Sequence, residues 1–200
     1  SDFIYDYTDG QFFWERIAIH DNRVGWSSGT DIRVQLHNQT WPCATVWGIT
    51  QGNAGDNHLY VGRIFRRYAS LSDSWTDTVA WSVLGHEWGH YGFGLWDEYL
   101  DAKGNDTWVG CASNFYTVPK ERRASIMYWE WLTSELCSTF DPNHKHQTNT
   151  WHHTLTGGES TWQTVLRRFE DTQNPPRWIL RSPVERGAIV PGPTMLPVSG

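Results

Sequence analysis

Cysteine is scarce in this 200-residue chain, which has only three, Cys43, Cys111 and Cys137, and no CxxC pair. That scarcity excludes a zinc ribbon built on cysteines. An odd number fits one disulfide and one remaining thiol, with Cys111 and Cys137 the preferred partners, and such a disulfide would suit a secreted protein. Three buried, reduced thiols fit the composition equally well, so both alternatives stay open.

Basic runs are also missing, since no stretch of Lys or Arg exceeds two residues and the formal net charge is −6. Nucleic-acid-binding proteins present clustered basic side chains, so nucleic acid is not an expected partner. No apolar run approaches the roughly 18–20 residues that a bilayer requires. We therefore expect no membrane-spanning helix.

Tryptophan, by contrast, is abundant, with 14 in the chain, about five times ordinary usage. The simplest interpretation places these rings in the core and at its rim. A sugar-binding or peptide-binding surface is the alternative.

Alternating apolar positions predict strands in the first 70 residues, at 13–19, 32–36, 45–50 and 58–65. A helix should begin after an N-cap at Ser72, Asp73 or Ser74, have Asp77 in its first turn and end between Gly92 and Gly94. Further helices are expected from 127 or 128 to 137 and from Ser160 to Phe169, the last with Ser160 or Thr161 as its cap. We expect one domain over 1–173. Most of the nine prolines lie beyond it, and 174–200 is interpreted as a proline-rich linker to a further domain of a longer parent.

The segment HEWGHYGFGLWDEY, residues 86–99, begins with an HExxH motif. On a helix, His86 and His90 project from one face, one turn apart, which suits two imidazole ligands of one Zn²⁺. Glu87 is then placed to act as general base on the water in the open zinc position. The alternative is an amphipathic helix with surface histidines.

A third metal ligand is expected shortly after Gly94, where the chain can turn back toward the helix. Asp97 is the favoured residue because a carboxylate oxygen is an acceptable zinc ligand. Glu98, next to it, is the other possibility. A solvated acidic turn would be the interpretation without metal.

Met127 is one of only two methionines and lies in a Ser125-Ile126-Met127 context, 37 residues after His90. Together with the pattern HExxHxxxGxxDEY, this turn resembles the metzincin clan of zinc metallopeptidases. The spacing has one residue more than the common metzincin pattern. It is similar to the N-terminal catalytic domain of the calcium-activated chloride channel regulator (CLCA) family, over about 79–169.

The resemblance implies an α/β fold, with a twisted, mostly parallel sheet, an antiparallel edge strand bordering the cleft, a zinc-site helix and a C-terminal helical part. Residues 58–65 are the candidate edge strand, and an interior strand is the alternative. His86, His90 and Asp97 would bind Zn²⁺, and Glu87 would be the catalytic base. Met127 would form the Met-turn. Trp129 occupies the position at which some metzincins have an oxyanion-stabilising tyrosine, so no such tyrosine is assigned.

The same resemblance implies a secreted or cell-surface zinc endopeptidase that acts on a peptide or protein substrate, including its own parent chain, with a von Willebrand A domain downstream. The alternative function is a binding or structural module that keeps its zinc without turnover.

Two further groups of residues could bind metal, although ordinary structural or surface roles are favoured for both. The first is a histidine group and the second a possible calcium site. Their residues are His144, His146, His152 and His153 for the first, and Asp101, Asn105 and Asp106 for the second.

Overall fold

The computed structural model of the chain describes residues 1–21, 29–37, 40–51, 57–65, 74–101, 103–105, 110–111, 124–139 and 148–170. Within these ranges the protein is a mixed α/β structure with a small three-stranded sheet and four α-helices. In chain order the elements are α1 (Asp2–Tyr7), β1 (Ile32–Val34), β2 (Cys43–Ala44), β3 (Leu59–Val61), α2 (Thr78–Phe93), α3 (Trp151–Leu155) and α4 (Thr161–Phe169). No described helix is long and apolar enough to cross a membrane, as expected. The predicted linker at 174–200 lies outside the described residues.

The strand β3 lies in the centre of the sheet, parallel to β1 and antiparallel to β2. The prediction that 58–65 forms the edge strand is therefore wrong, and the interior alternative is confirmed. Leu59 and Val61 are 0% and 5% exposed, as strand residues flanked on both sides should be. An antiparallel edge strand is nevertheless present, because β2 takes that position.

Of the other three predicted strands, one is confirmed and two are wrong. The strand at 32–36 is confirmed in shorter form as β1. The strand at 45–50 is wrong, because Trp47 has a left-handed φ of 61° and the chain closes into a 3₁₀-helix at Gly48–Thr50. The segment 13–19 forms no strand either. Ile17 and Ile19 in it are 61% and 90% exposed, so their alternation does not mark a buried face.

The long helix α2 begins and ends by local chemistry. The helix starts later than predicted, because Asp77 is its cap and not a residue of its first turn: the Asp77 carboxylate accepts the Val79 N–H at 2.9 Å. Gly94 ends it with a left-handed φ of 69°, and its N–H donates to the carbonyl of His90 at 3.0 Å. This is the αL cap that glycine accommodates without strain. The predicted helix end is confirmed.

Two apolar clusters lie against α2. The smaller consists of Leu59, Val61 and Tyr91, under the sheet. The larger joins α1, the end of α2, the segment after Ala124 and α4, and its buried members are Ile4, Tyr7, Phe93, Leu95, Ile126, Met127, Leu136, Trp162 and Val165. The helix α2 thus lies between the sheet on one side and α1 and α4 on the other. Some tryptophans lie in the core and others at the surface: Trp162 is in the core, whereas Trp41 is 60% exposed.

The segment 127–137 does not form the predicted α-helix. Ser125 and Tyr128 exchange backbone hydrogen bonds of 2.7 and 2.9 Å, which close a tight turn. Trp129 then has a left-handed φ of 56° and precedes a 3₁₀-helix at Glu130–Leu132. A residue in that conformation cannot belong to a right-handed helix, so the prediction is wrong here.

In the C-terminal part, the helix predicted from Ser160 to Phe169 is confirmed as α4. Of the two predicted caps of α4, the structure has Ser160, in a capping box with Gln163. A disulfide joins Cys111 to Cys137, with 5.3 Å between their Cα atoms, and Cys43 is a free, exposed thiol. The preferred cysteine pairing is confirmed, and the alternative of three reduced thiols is not.

Candidate metal centre

Three side chains of the predicted site meet at one point beside α2. The Nε2 atoms of His86 and His90 are 3.1 Å apart, and Asp97 Oδ1 lies 3.4 Å from the first and 3.3 Å from the second. The helix supplies the two histidines on one face, and the turn at Gly94 returns the chain so that Asp97 closes the triangle. Both histidines are more than nine-tenths buried.

The triangle fits zinc on geometry and on chemistry. Four ligands at zinc bond lengths of 2.0–2.1 Å in a tetrahedron are separated by roughly 3.3–3.4 Å, which is close to the three distances observed. Asp97 Oδ1 is buried, and its nearest polar neighbours are the two imidazole Nε2 atoms, so a cation between the three atoms would satisfy all of them. Two imidazole nitrogens and one carboxylate oxygen are also a ligand set that zinc accepts.

Backbone carbonyls fix the orientation of both rings. His86 Nδ1 donates to the carbonyl of Ile126 at 2.8 Å, and His90 Nδ1 donates to that of Leu95 at 2.7 Å. Because a carbonyl only accepts, each Nδ1 carries its proton and each Nε2 turns its lone pair toward the triangle when the ring is neutral. Such outer hydrogen bonds are typical of histidines that bind metal.

The charges of the three groups depend on one another. Burial alone would lower the pKa of His86, but the neighbouring carboxylates of Asp97 and Glu87 raise it to about 10. Although burial opposes them, the two histidines hold the pKa of Asp97 well below its usual range. Without metal, the carboxylate therefore retains a proton on the adjacent ring. Binding of zinc would displace that proton, because only neutral imidazole is a ligand.

The adjacent residue, Glu98, does not join the triangle. Its side chain is fully buried, and Ser125 Oγ donates to Glu98 Oε2 at 2.5 Å. Its backbone N–H donates to the carbonyl of Met127 at 3.1 Å. Asp97 and Glu98 were the two candidates for the third metal ligand. The structure brings Asp97 to the histidines, whereas Glu98 contacts the turn beneath them.

Met127 lies under the histidines, against Gly89 of α2. A Cβ at Gly89 would come within 2.6 Å of the Met127 sulfur, so the close approach needs glycine there. Met127 is 0% exposed. The predicted Met-turn position is thus occupied by a tight turn that supports the ligands by packing and through the Ile126 carbonyl.

Glu87 faces a cleft of about 870 Å³ that also contains the triangle. Burial raises the pKa of Glu87, and the neighbouring histidines offset part of that shift. Its Oε2 is buried without a hydrogen-bond partner among the described residues. A carboxylate in these surroundings is suited to accept a proton from a group in the cleft.

The cleft wall is mostly aromatic and apolar, and no described Lys or Arg lines it. The edge strand β2 forms one side through Cys43 and Ala44. Two polar residues that were not predicted from the sequence, Tyr99 and Glu130, also line the cleft. Tyr99 directly follows the DE pair of the motif, and that adjacency was the available signal. Burial and Asp97 raise the pKa of Tyr99.

The other metal candidates find different roles or lie outside the described residues. Asp101 accepts the N–H groups of Lys103 and Asn105 at 2.8 Å each, as in an ordinary Asx turn. His152 is fully buried in a hydrogen-bond network. Glu98 lies near both sulfurs of the disulfide, but cysteines in a disulfide are not thiolate ligands. His144, His146 and Asp106 are outside the described residues.

Comparison of the whole chain with family models, with curated proteins and with solved structures finds no match to any of them.

Proposed function

We propose that this protein is a zinc-dependent endopeptidase of metzincin type. The observation that carries the proposal is the triangle of His86, His90 and Asp97, with separations of 3.1–3.4 Å, beside the buried carboxylate of Glu87 in an open cleft. A purely structural zinc site has no need of an unpaired carboxylate at its side. The chain resembles the CLCA family catalytic domain in this segment, and its edge strand β2 and Met127 turn are compatible with that architecture.

The residues divide the chemistry among them. His86, His90 and Asp97 would hold the metal, which when bound lowers the pKa of water and polarises a carbonyl. Glu87 would take a proton from the attacking water and later deliver it to the leaving amine. Its raised pKa favours this exchange, because a base that titrates nearer to neutral pH both accepts and returns a proton efficiently.

The substrate would be an extended peptide. The outer edge of β2 lies in the cleft wall, where a peptide can add to the sheet by backbone hydrogen bonds. The aromatic lining would take apolar side chains. Cleavage of other proteins or of the parent chain, secretion or cell-surface location, and a downstream von Willebrand A domain follow from the resemblance. The Cys111–Cys137 disulfide supports an oxidising compartment.

The decisive experiment compares zinc content and proteolysis in the native chain and in Glu87→Gln. We expect one zinc per chain in both proteins, and cleavage of a mixed peptide library in the native chain alone. The rate with Glu87→Gln should fall at least about 100-fold, the usual contribution of general-base catalysis. Glu15→Gln, at an exposed position, is the matched control and should cleave normally. Absence of zinc from the native chain would contradict the metal assignment.

A zinc-holding binding module without turnover is the second candidate. Trp129 favours it, since it stands where some metzincins have an oxyanion tyrosine, with its ring 4.2 Å from that of Tyr128. In that case the native chain and Glu87→Gln would both contain zinc, and neither would cleave any peptide.

A further inference from the structure

His152 lies in a buried hydrogen-bond chain directly behind Asp97. The N–H of Trp96 donates to His152 Nδ1 at 3.0 Å, and the ring's Nε2 lies 3.1 Å from Thr164 Oγ1. The backbone N–H of His152 also donates to the carbonyl of Asp97 at 3.2 Å. Both His152 and Thr164 are 0% exposed. One residue thus contacts the backbone at both ends of the Trp96–Asp97 segment.

The direction of these hydrogen bonds is fixed by their chemistry. An amide N–H can only donate, so His152 Nδ1 accepts and the neutral ring carries its proton on Nε2. Nε2 therefore donates to Thr164, whose hydroxyl donates to Glu159 Oε2 at 2.8 Å. Arg167 Nη2 donates to the same oxygen at 3.0 Å. Every bond from Trp96 points toward a carboxylate, an arrangement in which each bond strengthens the next.

The helix α3 adds backbone contacts to the same loop. Trp151 N–H donates to the carbonyl of Leu100 at 2.5 Å, and Asp101 pairs with Thr150 in an isolated β-bridge. The indole of Trp151 stacks on Trp96, with 6.4 Å between ring centroids. The loop that carries Asp97 is therefore held in place by contacts with α3 and, through Thr164, with α4.

We propose that His152 is a positioning residue that sets zinc affinity by fixing the Trp96–Asp97 segment. The proposal rests on the zinc site proposed above. His86 and His90 are held by a regular helix, whereas Asp97 belongs to the loop after Gly94 and needs external support to keep its geometry. The buried chain from His152 supplies that support, and none of its members is a ligand.

The test measures zinc affinity by competition with a chelator, and the absorption spectrum of the Co²⁺-substituted protein. With His152→Leu, we expect a 10–100-fold loss of zinc affinity, the usual effect of removing an outer hydrogen bond, and an altered Co²⁺ spectrum. His152→Asn should recover most of the affinity, because its amide oxygen can accept the Trp96 N–H. Thr164→Val should give a smaller loss. His153→Leu, on the same helix, is the control and should bind as the native chain does.

Circular dichroism and thermal unfolding of the zinc-free variants separate a folding defect from a positioning role. If folded His152→Leu binds zinc as tightly as the native chain and gives the same Co²⁺ spectrum, the proposal is wrong. If His152→Leu does not fold, Thr164→Val decides by the same criteria. Failure of the native chain to bind zinc would instead overturn the proposed function, and the inference with it.

Discussion

At the scale of single residues, two adjacent carboxylates have opposite surroundings. Asp97 faces two histidines, which hold its pKa low against the effect of burial. Burial raises the pKa of Glu98 to about 8, although the hydrogen bond from Ser125 acts in the opposite direction. Because the two residues are adjacent, the Asp97 side chain faces the cleft and the Glu98 side chain faces the interior. Asp97 can therefore bind a cation, while Glu98 stabilises the turn below it.

Ser125 has a double role that can be tested by removing its hydroxyl. Ser125 Oγ donates to Glu98 and accepts the N–H of Met127 at 3.0 Å, both in the interior. We expect Ser125→Ala to lower the free energy of unfolding by about 1–3 kcal/mol, because buried polar groups lose their partner. Because the lost bond favours the ionised form of Glu98, the destabilisation should be larger above pH 8 than well below it.

Urea unfolding at two pH values measures this effect. Ser74→Ala, at a partly exposed position before α2, is the control and should change stability by less than about 0.5 kcal/mol at either pH. Equal losses for the two variants, or a smaller loss for Ser125→Ala at the higher pH, would contradict the assigned role.

At the scale of elements, the sequence predicted those features whose causes lie within a few residues. The end of α2 at a glycine, the capping box of α4 and the HExxH face follow from neighbouring side chains. The interior position of β3 does not follow from neighbouring side chains, because it depends on which strands, distant in sequence, pair with one another. The helix expected at 127–137 failed because apolar spacing cannot reveal the left-handed conformation of Trp129. The His152 network also joins residues far apart in sequence.

Alanine substitutions at Gly94 and at Gly157 can separate the energetic cost of backbone strain from that of a steric overlap. A Cβ there would overlap the guanidinium of Arg168, which donates to the carbonyl of Phe93 at 3.0 Å and stacks over Trp47. Gly157 has a similar φ of 74° but nothing within 4 Å of its would-be Cβ. We expect Gly157→Ala to cost about 1–2 kcal/mol from conformation alone, and Gly94→Ala to cost more. Chemical denaturation of both variants measures the difference, and equal costs would contradict a packing role for Gly94.

At the scale of the whole molecule, the proposed metal would add a link between parts that already pack together. The helix α2, the loop after it and the turn at Met127 meet at the triangle, and each packs into the larger apolar cluster. A ligand that binds only the folded state stabilises it by mass action, by about 2.7 kcal/mol when its free concentration is 100 times the dissociation constant. Zinc should therefore raise the melting temperature of the metal-free chain.

Differential scanning calorimetry with and without zinc provides this measurement. His90→Ala should lose the zinc-dependent rise in melting temperature, because it removes one corner of the triangle. His37→Ala, an exposed histidine on the described surface, should keep it. A rise that persists in His90→Ala would place the zinc elsewhere in the molecule.

The cysteine arrangement offers a way to watch the cleft directly. Because Cys111 and Cys137 are joined, the oxidised chain has one reactive sulfur, Cys43, and it lies on the strand that forms the cleft wall. Partial burial and the charge of Glu87 raise its pKa, so alkylation should proceed best in mildly alkaline buffer. A fluorophore attached there would label a single position at the mouth of the cleft. Its emission would report the arrival and departure of a peptide in real time, whether or not a bond is cut.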